Sequence, residues 1–528
     1  MILLPALAVL APSRPPGDAW DAAGAESITA AELRAIVGFL ASDQMEGRQT
    51  GSVTNQLAAM YLANQLELLD LEPAGDRGGF LQTFTLQTSR IADGNRLSLA
   101  AESGEPSPAQ LMGTWFPWPA SASGEASGWA VAAGFRTGPE GGRTETEETP
   151  GLSGAVAVMP AGDPFEERGV GPRGRPQAPG GPLGRVLEAQ RQGAIAVVLV
   201  AGDPAGVFPR LMRTYWPENA PGSSFFLEPP EPVRIPVVFT APGLLEPWLT
   251  KVRGTSGASR DRAGGRSGLK LTLRVELERE RTPTMNVLAR LPGSDPLLRH
   301  EVVVVSAHLD HVGRTEAGIF NGADDDASGS AAVVEIAEAF VTSPARPRRS
   351  IVFALWNAEE HGLLGSRHFV DHPTVGLDRI RAVFQMDMIG RDQEVTDQED
   401  PRFAGLPPQG RERNRNTVHL VGYSYSDDLR SVVQRAGSQV GLELLMELDR
   451  HPLNLVKRSD SWPFLLRGIP SALISTGLHP DYHTPDDLPD RLNYPKMERI
   501  ARMVFLAAWQ AADSLDPLEL NPMEPQIH

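Results

Sequence analysis

The chain contains no cysteine. Disulfide staples, zinc–thiolate sites and cysteine nucleophiles are therefore excluded, and any metal must be held by histidines and carboxylates. A lipid-anchored cysteine is excluded on the same ground. Positive charge is scarce: 49 Lys and Arg stand against 66 Asp and Glu, for a formal charge of −17. A surface that acidic repels phosphate backbones and argues against nucleic acid as a partner. The apolar run at the N-terminus, Ile2 to Ala11, falls short of the ~20 residues a membrane-crossing helix needs. It also lacks the positive flank of an export signal. Its length, the small residues Ala6, Ala8 and Ala11, and the Pro-Ser-Arg-Pro-Pro that follows still fit a leader over residues 1–25. Export to the periplasm, cell surface or medium is the expectation.

What remains is a chain of 528 residues, long enough for a large core and more than one domain. Ala31, Leu33, Ile36, Val37, Phe39 and Leu40 recur at helical spacing. Leu57, Ala58, Tyr61, Leu62, Leu66 and Leu69 do the same, with the polar loop Met45 to Ser52 (MEGRQTGS) as a connector between the two helices. Phe80 to Leu86 alternates like a strand. From about Pro106 to Gly265 the chain is rich in Gly, Pro and short apolar runs, including Gly154–Met159, Ala194–Val200 and Ile235–Phe239. Stretches 162–182 and 254–267 read as loops. This block holds no convincing set of metal ligands and is expected to be a separate β-rich insertion over 111–265, leaving 26–110 and 266–528 as the main domain. There, Val302–Val305, Ile351–Trp356, Ala382–Met386 and Ser471–Ser475 read as buried strands separated by helix-like segments. That alternation predicts an α/β fold built on a mixed, mostly parallel sheet flanked by helices. The stretch 392–416 reads as a surface insertion.

Each of those strands runs into ionisable residues. His308 and Asp310 follow the first, Glu359 and Glu360 the second, Asp387 the third and His483 the fourth, while Asp324-Asp325-Asp326 precedes a helix from Ala331 to Val341 that Asp326 or Ser328 is placed to cap. In α/β sheets, ligands collect where strands end and loops converge. So many carboxylates and histidines at one edge would make a poor core, because buried charges need partners. They suit two divalent cations. Taken singly, Glu359-Glu360 reads as an exposed helix start, Asp387 as a strand-end cap and His483 as a loop histidine; together those readings need five coincidences.

His308-x-Asp310, Gly322-Ala-Asp-Asp-Asp-Ala-Ser-Gly, Ala358-Glu-Glu, Met386-Asp-Met and Tyr482-His-Thr-Pro, in this order, resemble the motifs of the M28 family of co-catalytic zinc peptidases. The resemblance takes in roughly the first hundred residues and everything after about Thr284, and the intervening block resembles a protease-associated (PA) domain. It implies a di-zinc exopeptidase, with Mn²⁺ or Co²⁺ able to use the same nitrogen and oxygen ligands. By the resemblance, Asp324 bridges both ions, His308 and Asp387 complete one ligand set, and Glu360 and His483 complete the other. Glu359 is the general base, Asp310 hydrogen-bonds His308 from behind, and a cis peptide joins Asp324 to Asp325.

His311, His361, His368, His372 and His479 are expected outside the ligand set. Tyr423 and Tyr482 are both available to the substrate oxyanion, and Trp115, Trp118 and Trp462 to packing. Ser461 stands where the family commonly has His, in RSDSWPF. The expected partner is a peptide substrate, cleaved by an aminopeptidase. The alternatives are a carboxypeptidase, which needs a cation such as Arg314, Arg367, Arg391 or Lys457 for a terminal carboxylate, a glutaminyl cyclase, or a non-catalytic receptor-like ectodomain.

Overall fold

The computed structural model describes residues 24–101, 104–134, 151–161, 182–202, 207–216, 223–229, 231–254, 268–392, 394, 408, 410–449, 451 and 453–521. All but the last two residues of the expected leader lie outside them, as do most of the loops expected at 162–182 and 254–267 and part of 392–416.

One sheet carries the site. Its strands, in chain order, are β1 (Leu81–Ile91), β2 (Ser223–Leu227), β3 (Leu277–Leu291), β4 (Val302–His308), β5 (Ser350–Trp356), β6 (Ile380–Met386), β7 (Thr417–Val421), β8 (Glu443–Leu445) and β9 (Ser471–Ser475), with the short Glu72–Pro73 pairing on β3. Across the sheet they run β8-β7-β9-β6-β4-β5-β3-β1-β2. The centre, β9-β6-β4-β5, is parallel, and β7-β8 is too; β7-β9, β5-β3, β3-β1 and β1-β2 are antiparallel. All seven residues of β4 and of β5 are buried, which is why both read as unbroken apolar runs rather than alternations.

Helices cover the sheet. α1 (Ala30–Leu40) starts at Thr29, whose side chain accepts from the Glu32 amide, and buries Leu33, Ile36, Val37 and Leu40. α2 (Val53–Leu68) is capped in the same way by Ser52. α3 (Gly329–Thr342) begins where Asp326 Oδ1 accepts from the Gly329 amide at 2.9 Å. The long α4 (Tyr494–Asp513) presses Met497, Ile500, Val504, Phe505 and Ala508 into the core that α1 to α3 share with the sheet. Fully burying such a side chain stabilises by ~1.5–3 kcal/mol.

A second, eight-stranded sheet is built from 96–101, 107–108, 115–117, 124–132, 156–160, 196–200, 237–240 and 269–275. It takes in strands on both sides of the expected 111–265 insertion. Its middle is parallel, with helices at Pro182–Arg191, Val207–Tyr215 and Pro242–Gly254, so the body is mixed α/β rather than merely β-rich. β2 leaves this segment altogether and pairs with β1 of the first sheet.

Candidate metal centre

The parallel strands deliver their carboxyl ends to one place. His308 is the last residue of β4, Asp387 follows β6, and Glu359 and Glu360 follow β5. Three non-glycine residues at these strand ends and loops, Ala358 (φ 59), Met388 (φ 56) and His483 (φ 53), hold left-handed backbone. Each costs ~1–2 kcal/mol, a strain found where the surroundings fix a functional geometry.

Asp325 lies at the centre. Its Oδ1 is 3.1 Å from His308 Nε2, and its Oδ2 is 3.0 Å from His483 Nε2. Asp387 Oδ1 comes within 3.6 Å of His308 Nε2, and Glu360 Oε2 within 3.0 Å of His483 Nε2. Two donor groups result, His308–Asp325–Asp387 and His311–Asp325–Glu360–His483, sharing the Asp325 carboxylate. Among the described residues, His308 Nε2, His483 Nε2, Asp387 Oδ1 and Glu360 Oε1 are all buried without a hydrogen-bond partner. Orphaned buried polar atoms of opposite protonation preference, turned toward one space, fit a cation.

Burial opposes the charged forms, yet the cluster's own charges dominate. They hold Asp325 well below the usual carboxylate range through His311, His308 and His483, and they raise His308 through Glu359 and its carboxylate contacts. Glu360 pushes His483 up to about 10. Desolvation wins at Glu359 and Asp387, whose carboxyls are raised.

Two expectations are corrected. Asp324, expected to bridge, is turned away: its Oδ1 accepts from the Gly390 amide at 2.6 Å and its Oδ2 lies 3.2 Å from His479 Nε2. Asp325 takes the shared position instead. The cis peptide joins Asp325 to Asp326, not Asp324 to Asp325. Asp326 is also occupied, accepting from the amides of His308 (3.1 Å) and Met388 (3.2 Å) as well as Gly329. His311, expected outside the ligands, is buried within the second donor group.

Asp310 stands behind His308 but mainly serves other groups. Its carboxylate is 3.7 Å from His308 Nδ1, which is nearer, at 3.2 Å, to the Asp310 carbonyl oxygen. The carboxylate accepts from Thr50 Oγ1 at 2.8 Å and from the Glu359 amide at 3.1 Å. Glu359 Oε2 is 4.0 Å from His308 Nε2, at the edge of the cluster.

The MEGRQTGS loop proves to be more than a connector. Arg48 is fully buried and donates to four backbone carbonyls: Leu309 (3.0 Å), Leu40 (2.6 Å), Asn321 (2.8 Å) and Gly322 (2.9 Å). It ties the loop of His308 to the loop of Asp325. A buried arginine without a carboxylate partner on its own stretch leaves no periodic signal, although Arg48 between two glycine-flanked turns is an unusual place for one.

Tyr482 stacks on His483, with ring centroids 3.9 Å apart, and its hydroxyl accepts from Arg458 at 3.1 Å. Tyr423 instead lies under Arg430. Of the cations considered for a terminal carboxylate, Arg391 is engaged by Asp481 at 2.5 Å and Arg314 by Glu46 at 3.1 Å. His361 meets Phe225 of β2, and His368 stacks on Phe84. Ser461 opens a short helix (Ser461–Leu465) with its amide on Ser459 Oγ, and Asp460 beside it binds Ser366. Trp115, Trp118 and Trp462 are buried in hydrophobic clusters.

Residues 286–508 match the family model described as Peptidase family M28. A probable leucine aminopeptidase 2 from Aspergillus oryzae is 30% identical over 210 residues, 40% of this chain and 37% of the relative. An aminopeptidase of Pseudomonas aeruginosa is 39% identical over 123 residues, 23% of this chain and 21% of the relative. The chain thus spans well under half the length of these curated relatives. Among solved structures, an aminopeptidase from Aneurinibacillus sp. strain AM-1 superposes with a TM-score of 0.54 at 19% identity, covering 96% of this chain and 98% of that one. At that identity the likeness is one of fold.

Proposed function

We propose that the protein, whose residues 286–508 match the family model described as Peptidase family M28, is a metallo-aminopeptidase of that family that removes N-terminal residues from peptides with two zinc ions. The observation that carries the reading is the pair of donor groups meeting on Asp325, each with buried atoms that lack a hydrogen-bond partner among the described residues. His308, Asp325 and Asp387 would hold one ion, and Asp325, Glu360 and His483 the other. Nitrogen and oxygen donors without sulfur suit zinc, and Mn²⁺ or Co²⁺ can use the same set. When bound, such a pair lowers the pKa of the attacking water and polarises the scissile carbonyl.

Glu359 acts as the base. It sits beside the donors without belonging to either group, and its backbone amide is fixed by Asp310 Oδ1. Its carboxylate takes a proton from the attacking water and returns it to the leaving amine, a role worth ~10²–10⁴-fold. Tyr482, stacked on His483 and oriented by Arg458, is the side chain best placed to donate to the developing oxyanion. Glu359 and Asp387 supply carboxylates beside the cluster for a free substrate ammonium, and the names of the relatives point to the same end of the peptide.

The test pairs unblocked with N-acetylated peptides, on wild type and on Glu359→Gln. Wild type should cleave only the unblocked series, and Glu359→Gln should keep its metal while kcat falls by ~10²–10⁴. Equal cleavage of both series would reject the aminopeptidase reading, and undiminished turnover by the variant would reject the base.

A further inference from the structure

His311 is not part of the five-residue set that the family motifs supply, yet its ring is fully buried inside the cluster. Nδ1 lies 2.7 Å from Glu360 Oε1 and 3.7 Å from Asp325 Oδ2. Among the described residues, neither ring nitrogen nor Glu360 Oε1 makes an aligned hydrogen bond. Short separation without alignment is what results when two donors point at a common third point rather than at each other. Donors 2.7 Å apart on bonds of ~2.1 Å subtend ~80°, a near-right-angle pair that an ion of more than four ligands accommodates.

The ring is held there by the fold. Its backbone amide donates to the Arg48 carbonyl at 3.3 Å, residues 49 and 311 form a bridge, and its plane meets the His483 ring edge-on at 5.5 Å. Gly322, in left-handed backbone (φ +59), leaves it room: a Cβ there would come within 2.5 Å of the imidazole. The same Cβ would come within 2.2 Å of the Asp325 carbonyl oxygen, so the acidic loop is packed tightly against both its own backbone and this histidine.

We infer that His311 is a fourth protein ligand on the His483 side, which makes the two metal sites unequal. That half has four protein donors, His311, Asp325, Glu360 and His483, whereas the other has three, His308, Asp325 and Asp387. A set of four protein donors holds its ion by one more protein bond than a set of three and retains it more firmly, whatever further ligand completes the coordination. Loading is ordered as a result: the first zinc fills the His311 half and stays, and the second occupies the His308 half and exchanges. The inference rests on the two-ion reading above.

The experiment is X-ray absorption spectroscopy on metal-free protein given one equivalent of Zn²⁺, alongside Co²⁺ titrations of wild type and His311→Gln followed by visible absorption. The first zinc should show two imidazoles. In His311→Gln the first Co²⁺ spectrum should change in intensity, and the tighter affinity should fall by more than the ~10–100-fold that loss of an outer hydrogen-bond partner brings. One imidazole on the first zinc overturns the inference, as does an unchanged cobalt spectrum in a variant that melts like wild type, even with weaker binding. The zinc measurement on wild type stands if the variant fails to fold. Wild type that binds two ions and cleaves peptides while showing one imidazole refutes His311 alone. Wild type unable to bind two ions refutes the functional reading beneath it.

Discussion

At the scale of the residue, three consecutive aspartates do three different jobs. Asp324 is held by the Gly390 amide and His479, Asp325 faces the histidines, and Asp326 caps α3 and carries the amides of His308 and Met388. Asp325→Asn should cost binding of both ions more than the ~10–100-fold expected for an outer partner. Asp324→Asn should keep both ions and lose stability by about 1–3 kcal/mol, because buried hydrogen bonds are disturbed. Competition with a chelating dye and urea unfolding measure the two; a metal-free Asp324→Asn with a metal-loaded Asp325→Asn would reverse the assignment. The residue types of the site were legible in the sequence, since histidines and carboxylates trailing four buried strands leave little else to do. Which of three identical neighbours turns inward was not, because that depends on the backbone path after Gly322. His311 was hidden for a similar reason: three positions from His308, its direction is decided by the Arg48 loop and not by spacing.

At the scale of the element, strands and helices followed their periodicities closely, from the unbroken valines of β4 to the capped stripe of α1. The connector between α1 and α2 did not, because its contribution is a single buried cation reaching carbonyls over 260 residues away. Arg48→Met should destabilise by about 3 kcal/mol or more, because four buried carbonyls lose their donor at about 1–3 kcal/mol for each left unsatisfied, and should weaken metal binding with it; calorimetry and metal titration read both. A stable, fully metal-binding variant would show that the loop does not set the site.

The contact of α3 with α1 makes another prediction. Glu335 on α3 is raised to about 8 by burial and by Glu32, while accepting from the Thr29 amide. Between its ordinary value of 4.5 and about 8, the unfolded chain has lost this proton and the folded chain keeps it. Folding therefore takes up a proton, and stability falls as pH rises through that window. Glu335→Gln should flatten the fall and unfold at higher urea than wild type at pH 8, with the difference gone at pH 4; a constant difference across the series would contradict it.

At the scale of the whole molecule, the α/β class was legible, but the points where the chain passes between its two large sheets were not. The strand 269–275 belongs to the second sheet and β3 begins at Leu277, so the chain changes sheets across Glu276 alone. Two antiparallel strands with one residue between them alternate alike whichever sheet they join. β2 crosses the other way, bringing Phe225 against His361, one residue beyond Glu360. A strand from the middle of the second sheet's segment thus packs beside the loop of Glu359 and Glu360. All of this matters functionally because it brings together residues 308 to 483, and the most direct check is a crystal of the zinc-loaded protein measured on both sides of the zinc absorption edge. The account predicts two anomalous peaks flanking the Asp325 carboxylate, one beside His308 and Asp387 and the other beside Glu360 and His483. A single peak, or none within reach of Asp325, would contradict it.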